Sequence, residues 1–203
     1  MNRRQFLKLS AALALTGCSQ SPGTVPVPHE LILRSSRPLD LETPVEVFQT
    51  RLTPNELFFL RSHHPEPTVT AAGWTLSLGG LVQSSFQLDL AQLEAAPRAS
   101  VTAVLQCSGN GRAFFRPRVA GVPWERGAVG NAEWTGARLM ELLQRARPKP
   151  EARWVVLRGL DRPLVEAPPF VRAIPLEKAL HPDTLVAYQM NGETLPPLHG
   201  YPA

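Results

Sequence analysis

Twenty-one prolines are spread through 203 residues, and they restrict what this chain can fold into more than any other feature. Each fixes one φ angle and removes one backbone donor, so few stretches are left for long helices or broad interior strands. The reading is a loop-rich α+β chain of mixed sheets and short helices with many fixed turns, not a helical bundle. Hydrophobic residues make up 43% of the sequence, enough for a real core, and the length suits one domain.

Between the prolines, local patterns place the elements. Trp74 to Val82 alternates with period two and reads as a strand that breaks at Gly79 and Gly80, and Leu88 to Ala96 suits a short helix. Thr135 is a candidate N-cap for a helix that carries Leu139, Leu142 and Leu143 on one face and stops before Pro148. Trp154 to Leu157 reads as a buried strand, and Pro175 opens a short helix through Lys178 and Leu180. Thr184 to Tyr188 reads as a strand closed by an Asn191-Gly192 turn.

The first 29 residues read as an address and a tether. Asn2-Arg3-Arg4-Gln5-Phe6-Leu7-Lys8 resembles a twin-arginine export signal, followed by an apolar stretch from Leu9 to Leu15 that is too short to span a bilayer. Leu15-Thr16-Gly17-Cys18 resembles a lipobox, with Cys18 the lipid-bearing first mature residue; the alternative is ordinary signal cleavage nearby. Residues 18–29 then form a flexible tether of Ser, Gly and Pro, and the folded domain is expected over 30–203. Processing removes Arg3, Arg4 and Lys8, so 21 basic residues become 18 against 17 acidic ones. A nearly neutral mature chain without interleaved basic and aromatic runs gives no argument for nucleic acid. The expected location is periplasmic or on the cell-surface side, with the membrane touched only through the lipid.

With Cys18 assigned to processing, Cys107 is the only remaining thiol, so a structural disulfide is not expected. It closes the apolar run Ser100 to Gln106, which reads as a strand, and opens onto Ser108-Gly109-Asn110-Gly111-Arg112. This places sulfur at a sheet edge beside glycines that admit close backbone approach and an arginine that attracts an anion. A buried core cysteine before an ordinary turn is the competing reading. Twin-arginine export carries folded proteins, often with a cofactor already inserted, and mononuclear molybdenum held by one thiolate and an organic dithiolene suits a lone cysteine.

In chain order, several blocks resemble the molybdenum-cofactor domain of the sulfite oxidase family. They are Phe58-Phe59-Leu60-Arg61-Ser62-His63, the Cys107 loop, Trp134 to Leu139, Gly159-Leu160-Asp161, Ile174-Pro175-Leu176, Tyr188 to Gly192, and His199-Gly200-Tyr201-Pro202. The resemblance covers about residues 50 to 203 and implies a sulfite-oxidase-type molybdopterin-binding fold. It implies that Cys107 is the sole protein thiolate on the metal and that Phe59, Leu60, Arg61, Ser62 and His63 line the pterin. Asp161 and His199 are implied cofactor contacts, and Arg112, with Arg61 sharing the task, is implied to hold a substrate oxyanion. Ser62 stands where the family usually has Asn, and Gly111 where it often has a second basic residue. His64 receives no role from the family.

The implied reaction is oxygen-atom transfer to a small sulfur oxyanion, sulfite to sulfate. The cofactor is Mo-molybdopterin, and with no CxxCH haem site in the sequence the electrons are expected to pass to a periplasmic c-type cytochrome. A reductase of sulfoxides or other oxyanions on the same fold, and a non-catalytic lipoprotein, are the alternatives. Family sequences continue beyond the His-Gly-aromatic-Pro block into further pocket residues and an immunoglobulin-like dimerisation domain, so the domain is expected to be incomplete on its carboxyl-terminal side and to expose apolar surface there.

Overall fold

A computed structural model describes residues 30–65, 70–161, 163, 166, 168–200 and 203. The export segment, the whole tether with Cys18, and Tyr201 with Pro202 lie outside the described residues. Strands β1 (Ile32–Ser36), β2 (Leu39–Glu42) and β3 (Leu60–Arg61) form one antiparallel sheet in that order. Strand β4 (Thr75–Leu78) pairs with β5 (Phe86–Asp89), and β8 (Trp154–Arg158) with β9 (Val171–Pro175). The largest sheet has the order β11-β10-β7-β6, built from β6 (Arg98–Gln106), β7 (Val129–Arg138), β10 (Leu185–Met190) and β11 (Glu193–Thr194). Helices α1 (Leu90–Glu94), α2 (Leu139–Ala146) and α3 (Leu176–Ala179) are all short. Small sheets, short helices and long connections bear out the α+β reading, with the two longest strands, β6 and β7, falling in proline-free stretches.

Each element has a local cause. In α2, Leu139, Leu142, Leu143 and Ala146 fall at the i, i+3, i+4, i+7 spacing of one face, and all four are buried. Arg147, with φ of 53°, ends the helix in the left-handed region and donates its N–H to Leu143 O, one residue ahead of Pro148. Asn191 and Gly192, both at positive φ, form the two-residue turn that brings Met190 opposite Glu193. Two sequence expectations change. Thr135 does not cap α2: it lies inside β7, fully buried, and its hydroxyl shares a 2.7 Å hydrogen bond with that of Ser100 on β6. Cross-strand pairing with both β6 and β10 extends β7 to Arg138 and overrides the local cap signal. The helix expected over Leu88 to Ala96 shrinks to α1, because Leu88 and Asp89 pair with Leu76 and Thr75, leaving the Asp89 side chain to cap the helix in a capping box with Gln92.

Packing gathers these elements around three apolar centres, the smallest being Leu139, Leu143 and Ala179, where α2 meets α3. Phe58, Phe59, Trp124, Ala128, Ala132, Met190 and Leu195 form the first, with Cys107, Val122 and Trp134 packed against it. The second joins Trp74, Leu88 and Leu93 to Ala137, Leu142 and Tyr188. Glycine at 136 is required by the close pass of β10, since a Cβ there would run into the Val186 carbonyl. Val104 and Leu105 near the end of β6, and Trp154 and Val156 on β8, are exposed. The expected buried strand at 154–157 therefore forms, but outward.

Candidate functional site

Strand β6 ends where its ladder with β7 ends, at Gln106 opposite Val129. One residue on, Cys107 still donates its N–H to Ala128 O at 2.9 Å, so the thiol is held at the sheet edge and packs against the Phe58, Phe59 and Trp124 centre. It is a free, half-buried cysteine. The chain then turns tightly, with Asn110 N–H donating to Cys107 O at 2.9 Å and Gly109 N–H pointing to Cys107 Sγ at 3.4 Å. The backbone donor fixes the orientation of the sulfur, the atom through which a cysteine binds metals. Asn110 pins the loop to the other side of the sheet edge, its Oδ1 accepting from Ala128 N–H at 3.1 Å and its Nδ2 donating to Arg126 O at 3.3 Å.

The glycines of this loop serve a purpose that their spacing did not disclose. Gly109 and Gly121 leave room for the Arg112 guanidinium: a Cβ on Gly109 would lie 2.5 Å from Arg112 Nη2, and one on Gly121 would lie 2.7 Å from Nη1. Nη1 donates to Val122 O at 3.0 Å, and Gly111 takes φ of 86° to start the turn that carries Arg112. Arg112 is thus a braced, half-buried cation five residues beyond the thiol. Arg116 is exposed and donates to the Ala113 and Phe115 carbonyls, so it caps its own loop.

A second group of residues assembles around the end of β3. Phe59 and Leu60 are buried, with Phe59 in the core beside Phe58 at a 5.4 Å ring separation. Arg61 donates to the Ser62 carbonyl and, at 3.1 Å, to Asp40 Oδ1. The His63 ring lies 5.0 Å from that of Phe170, whose other neighbour is the Arg172 guanidinium at 4.3 Å. Desolvation, then Arg61, Arg172 and His64, hold the His63 pKa below its ordinary 6.5 against the opposing pull of Asp40. His64, left without a role by the sequence, donates from Nε2 to Pro168 O at 3.1 Å and approaches Asp161 Oδ2 to 4.0 Å. It is the link between the β3 segment and the Gly159-Leu160-Asp161 turn.

His199 completes the arrangement from the far end of the chain. It sits in a 3₁₀ turn (Pro197–His199) after β11, and its ring stands edge-on to Phe58 at 5.4 Å. Cys107 and His199, 92 positions apart, therefore abut the same aromatic centre. Both His199 ring nitrogens are buried without a hydrogen bond among the described residues; the Phe58 and Phe59 carbonyls lie near enough to raise its pKa, yet neither makes a well-formed bond. Desolvation outweighs them and leaves the pKa below 6.5. Trp124, fully buried, also keeps an unpartnered Nε1–H; no motif drew attention to it.

The pH consequence has a definite sign. A histidine whose folded pKa lies below its unfolded value makes the unfolded chain the better proton acceptor, so stability is complete above 6.5 and is lost as pH falls toward the folded pKa. Thermal unfolding at a series of pH values should show wild type losing stability below pH 6.5 relative to His199→Gln, and parallel curves would mean that His199 is not held neutral.

Unpaired buried donors and acceptors are rare in folded chains, and each calls for a partner or a function. One thiol with a backbone donor, the His199 nitrogens and the Trp124 N–H unpaired among the described residues, the His63 imidazole and the Arg61 and Arg172 cations make a donor set suited to a single metal–sulfur bond and a large polar, anionic organic cofactor. Among the described residues no group of three or more His, Cys, Asp or Glu is placed to hold a metal ion.

Comparison with known proteins agrees. The sequence profile of the oxidoreductase molybdopterin binding domain matches residues 63–203. The chain is 38% identical over 185 residues to mitochondrial sulfite oxidase of Drosophila melanogaster, covering 87% of this chain and 32% of that protein. It is 41% identical over 182 residues to sulfite oxidase of Gallus gallus, covering 85% of this chain and 39% of the relative. Among solved structures, the sulfane dehydrogenase SoxCD from Paracoccus pantotrophus superposes with a TM-score of 0.73 at 27% identity, over 91% of this chain and 49% of that one. The chain spans between a third and a half of the length of these proteins.

Proposed function

Because the chain belongs to the oxidoreductase molybdopterin binding domain family, with the sulfite-oxidase-type fold, we propose that it carries the molybdenum-cofactor site of an exported enzyme that oxidises sulfite to sulfate. The observation that supports this most is the Cys107 corner: a free thiol with a backbone N–H on its sulfur, next to an arginine braced between two glycines. Cys107 would be the protein's ligand to the metal. Arg61, Ser62, His63, Asp161 and His199 would hold the organic part, the Arg61 guanidinium facing phosphate and the imidazoles its heteroatoms. When bound, the molybdenum cofactor supplies two-electron redox chemistry coupled to movement of an oxygen atom.

Arg112 and Arg61 would capture the oxyanion. Their guanidiniums carry charge at every working pH, and bracing removes the need to reorganise as charge moves during reaction. Overall, sulfite and water yield sulfate, two protons and two electrons. The electrons would leave singly to a c-type cytochrome. Export by the twin-arginine route and a lipid on Cys18 belong to the same proposal, resting on the residue 1–18 pattern.

Arg112→Ala should raise the sulfite KM by a factor on the order of 10 to 100, the effect of losing one charge-assisted contact, with molybdenum content unchanged. Steady-state assays with cytochrome c, alongside elemental analysis, check this. Equal loss of metal and activity would make Arg112 a cofactor residue. A sulfane sulfur substrate is the second reading, favoured by the SoxCD likeness; turnover of a sulfane donor and not of sulfite would select it.

A further inference from the structure

The N-terminal sheet buries a carboxylate that the apolar centres do not need. Asp40 is fully buried on β2, directly across the ladder from Arg61 on β3. Its Oδ1 accepts from Arg61 Nη1 and from the Ser62 N–H, both at 3.1 Å. Its Oδ2 is also buried and has no partner among the described residues. Burying an ion pair in this half-satisfied way costs stability, and apolar residues in place of both partners are often as good or better for the fold. Its retention here calls for a reason beyond folding.

That reason lies in what Asp40 holds. Arg61 spends one nitrogen, Nη1, on Asp40 and the Ser62 carbonyl, and among the described residues Nε and Nη2 make no hydrogen bond. The side chain is 27% exposed, so the uncommitted donors border accessible space. A free arginine samples many rotamers, and fixing one edge of the guanidinium removes most of that freedom before an anion arrives. The bond to Ser62 N–H anchors the start of the Ser62-His63-His64 segment through the same oxygen.

We propose that Asp40 is the positioning residue of the oxyanion site: it aims Arg61, and touches neither substrate nor cofactor itself. The inference rests on the reading of Arg61 as an oxyanion contact, and it concerns a residue upstream of the profile match, which begins at residue 63. Asp40 also keeps the local charge nearly balanced, so Arg61 attracts an anion through directed donors more than through net charge.

The test uses the full chain purified with its cofactor and compares wild type, Asp40→Ala, Asp40→Asn, Arg61→Ala and the double variant Asp40→Ala/Arg61→Ala. Sulfate affinity by titration calorimetry and molybdenum per chain are read apart from turnover, and sulfite KM and kcat complete the set. Asp40→Ala should weaken sulfate binding and raise KM by about tenfold, with kcat and metal content within about twofold. Asp40→Asn, which keeps an oxygen acceptor in the same place, should recover most of the loss. Without Arg61 there is nothing to aim, so the double variant should bind sulfate as Arg61→Ala does. Unchanged sulfate affinity in Asp40→Ala, or a further loss in the double variant, overturns the proposal. Should Asp40→Ala fail to fold, the comparison of Arg61→Ala with the double variant decides. A wild type that binds molybdenum and sulfate but does not oxidise sulfite would overturn the substrate assignment and leave the positioning comparison standing.

Discussion

Cys107→Ser is expected to strip the protein of molybdenum and of turnover while leaving it folded. Serine keeps the size and loses the chemistry: its hydroxyl does not ionise in the working range and is a hard ligand, whereas the metal calls for a soft thiolate. The fold should survive because Cys107 is a half-buried, unbridged residue whose backbone N–H, not its sulfur, carries the bond to Ala128. Activity should fall by at least about 10³, equivalent to roughly 4 kcal/mol of lost barrier lowering. Metal per chain by elemental analysis and a melting curve read the two halves separately. A variant that melts as wild type and retains both metal and turnover would remove Cys107 from the site.

Glu42→Ala should have the largest effect on stability. Glu42 is 2% exposed and accepts from Arg34 Nε at 2.5 Å, Glu125 N–H at 3.0 Å and Gly127 N–H at 2.6 Å. Truncation would leave two backbone donors without their acceptor and Arg34 with only the exposed Glu125 carboxylate, 3.1 Å away, a loss of about 3–5 kcal/mol. For a chain of this size that lowers the melting temperature by roughly 10 °C or more. The damage should spread to the site, because residues 126 to 128 receive Asn110 and Cys107 from the thiol loop. Glu42→Gln, which keeps the shape and one acceptor, should fall between. A melting temperature within 2 °C of wild type for the alanine variant, measured by calorimetry at roughly neutral pH, would contradict the clamp; shifts that small correspond to under about 1 kcal/mol.

The comparison of sequence and structure turns on particular residues. The apolar face of α2, the Asn191-Gly192 turn and the Cys107 strand were legible because each is a short-range pattern: a 3.6-residue period, a positive-φ dipeptide, an apolar run ending at glycine. The Thr135 cap failed because the same dipeptide context serves a strand once β6 and β10 pair on either side of it. Strands β1 to β3 escaped notice, since four-residue and two-residue segments with charges in them carry little pattern.

By itself, then, the order of residues determined the α+β class, the candidacy of the Cys107 thiol at the end of its strand, and the membership of Arg61, His63, Arg112, Asp161 and His199 in one set of candidates. Only the tertiary structure decided how they are supported. It turned Gly109 and Gly121 into the walls of the Arg112 cradle, gave His64 its place beside Asp161, left the Trp124 and His199 nitrogens unpaired among the described residues, and put Asp40 behind Arg61. The physical reason is range. Patterns along a chain encode what neighbours within a few positions do, whereas burial, and the hydrogen bonds that burial makes obligatory, depend on segments as far apart as Glu42 and Gly127 that meet only after folding.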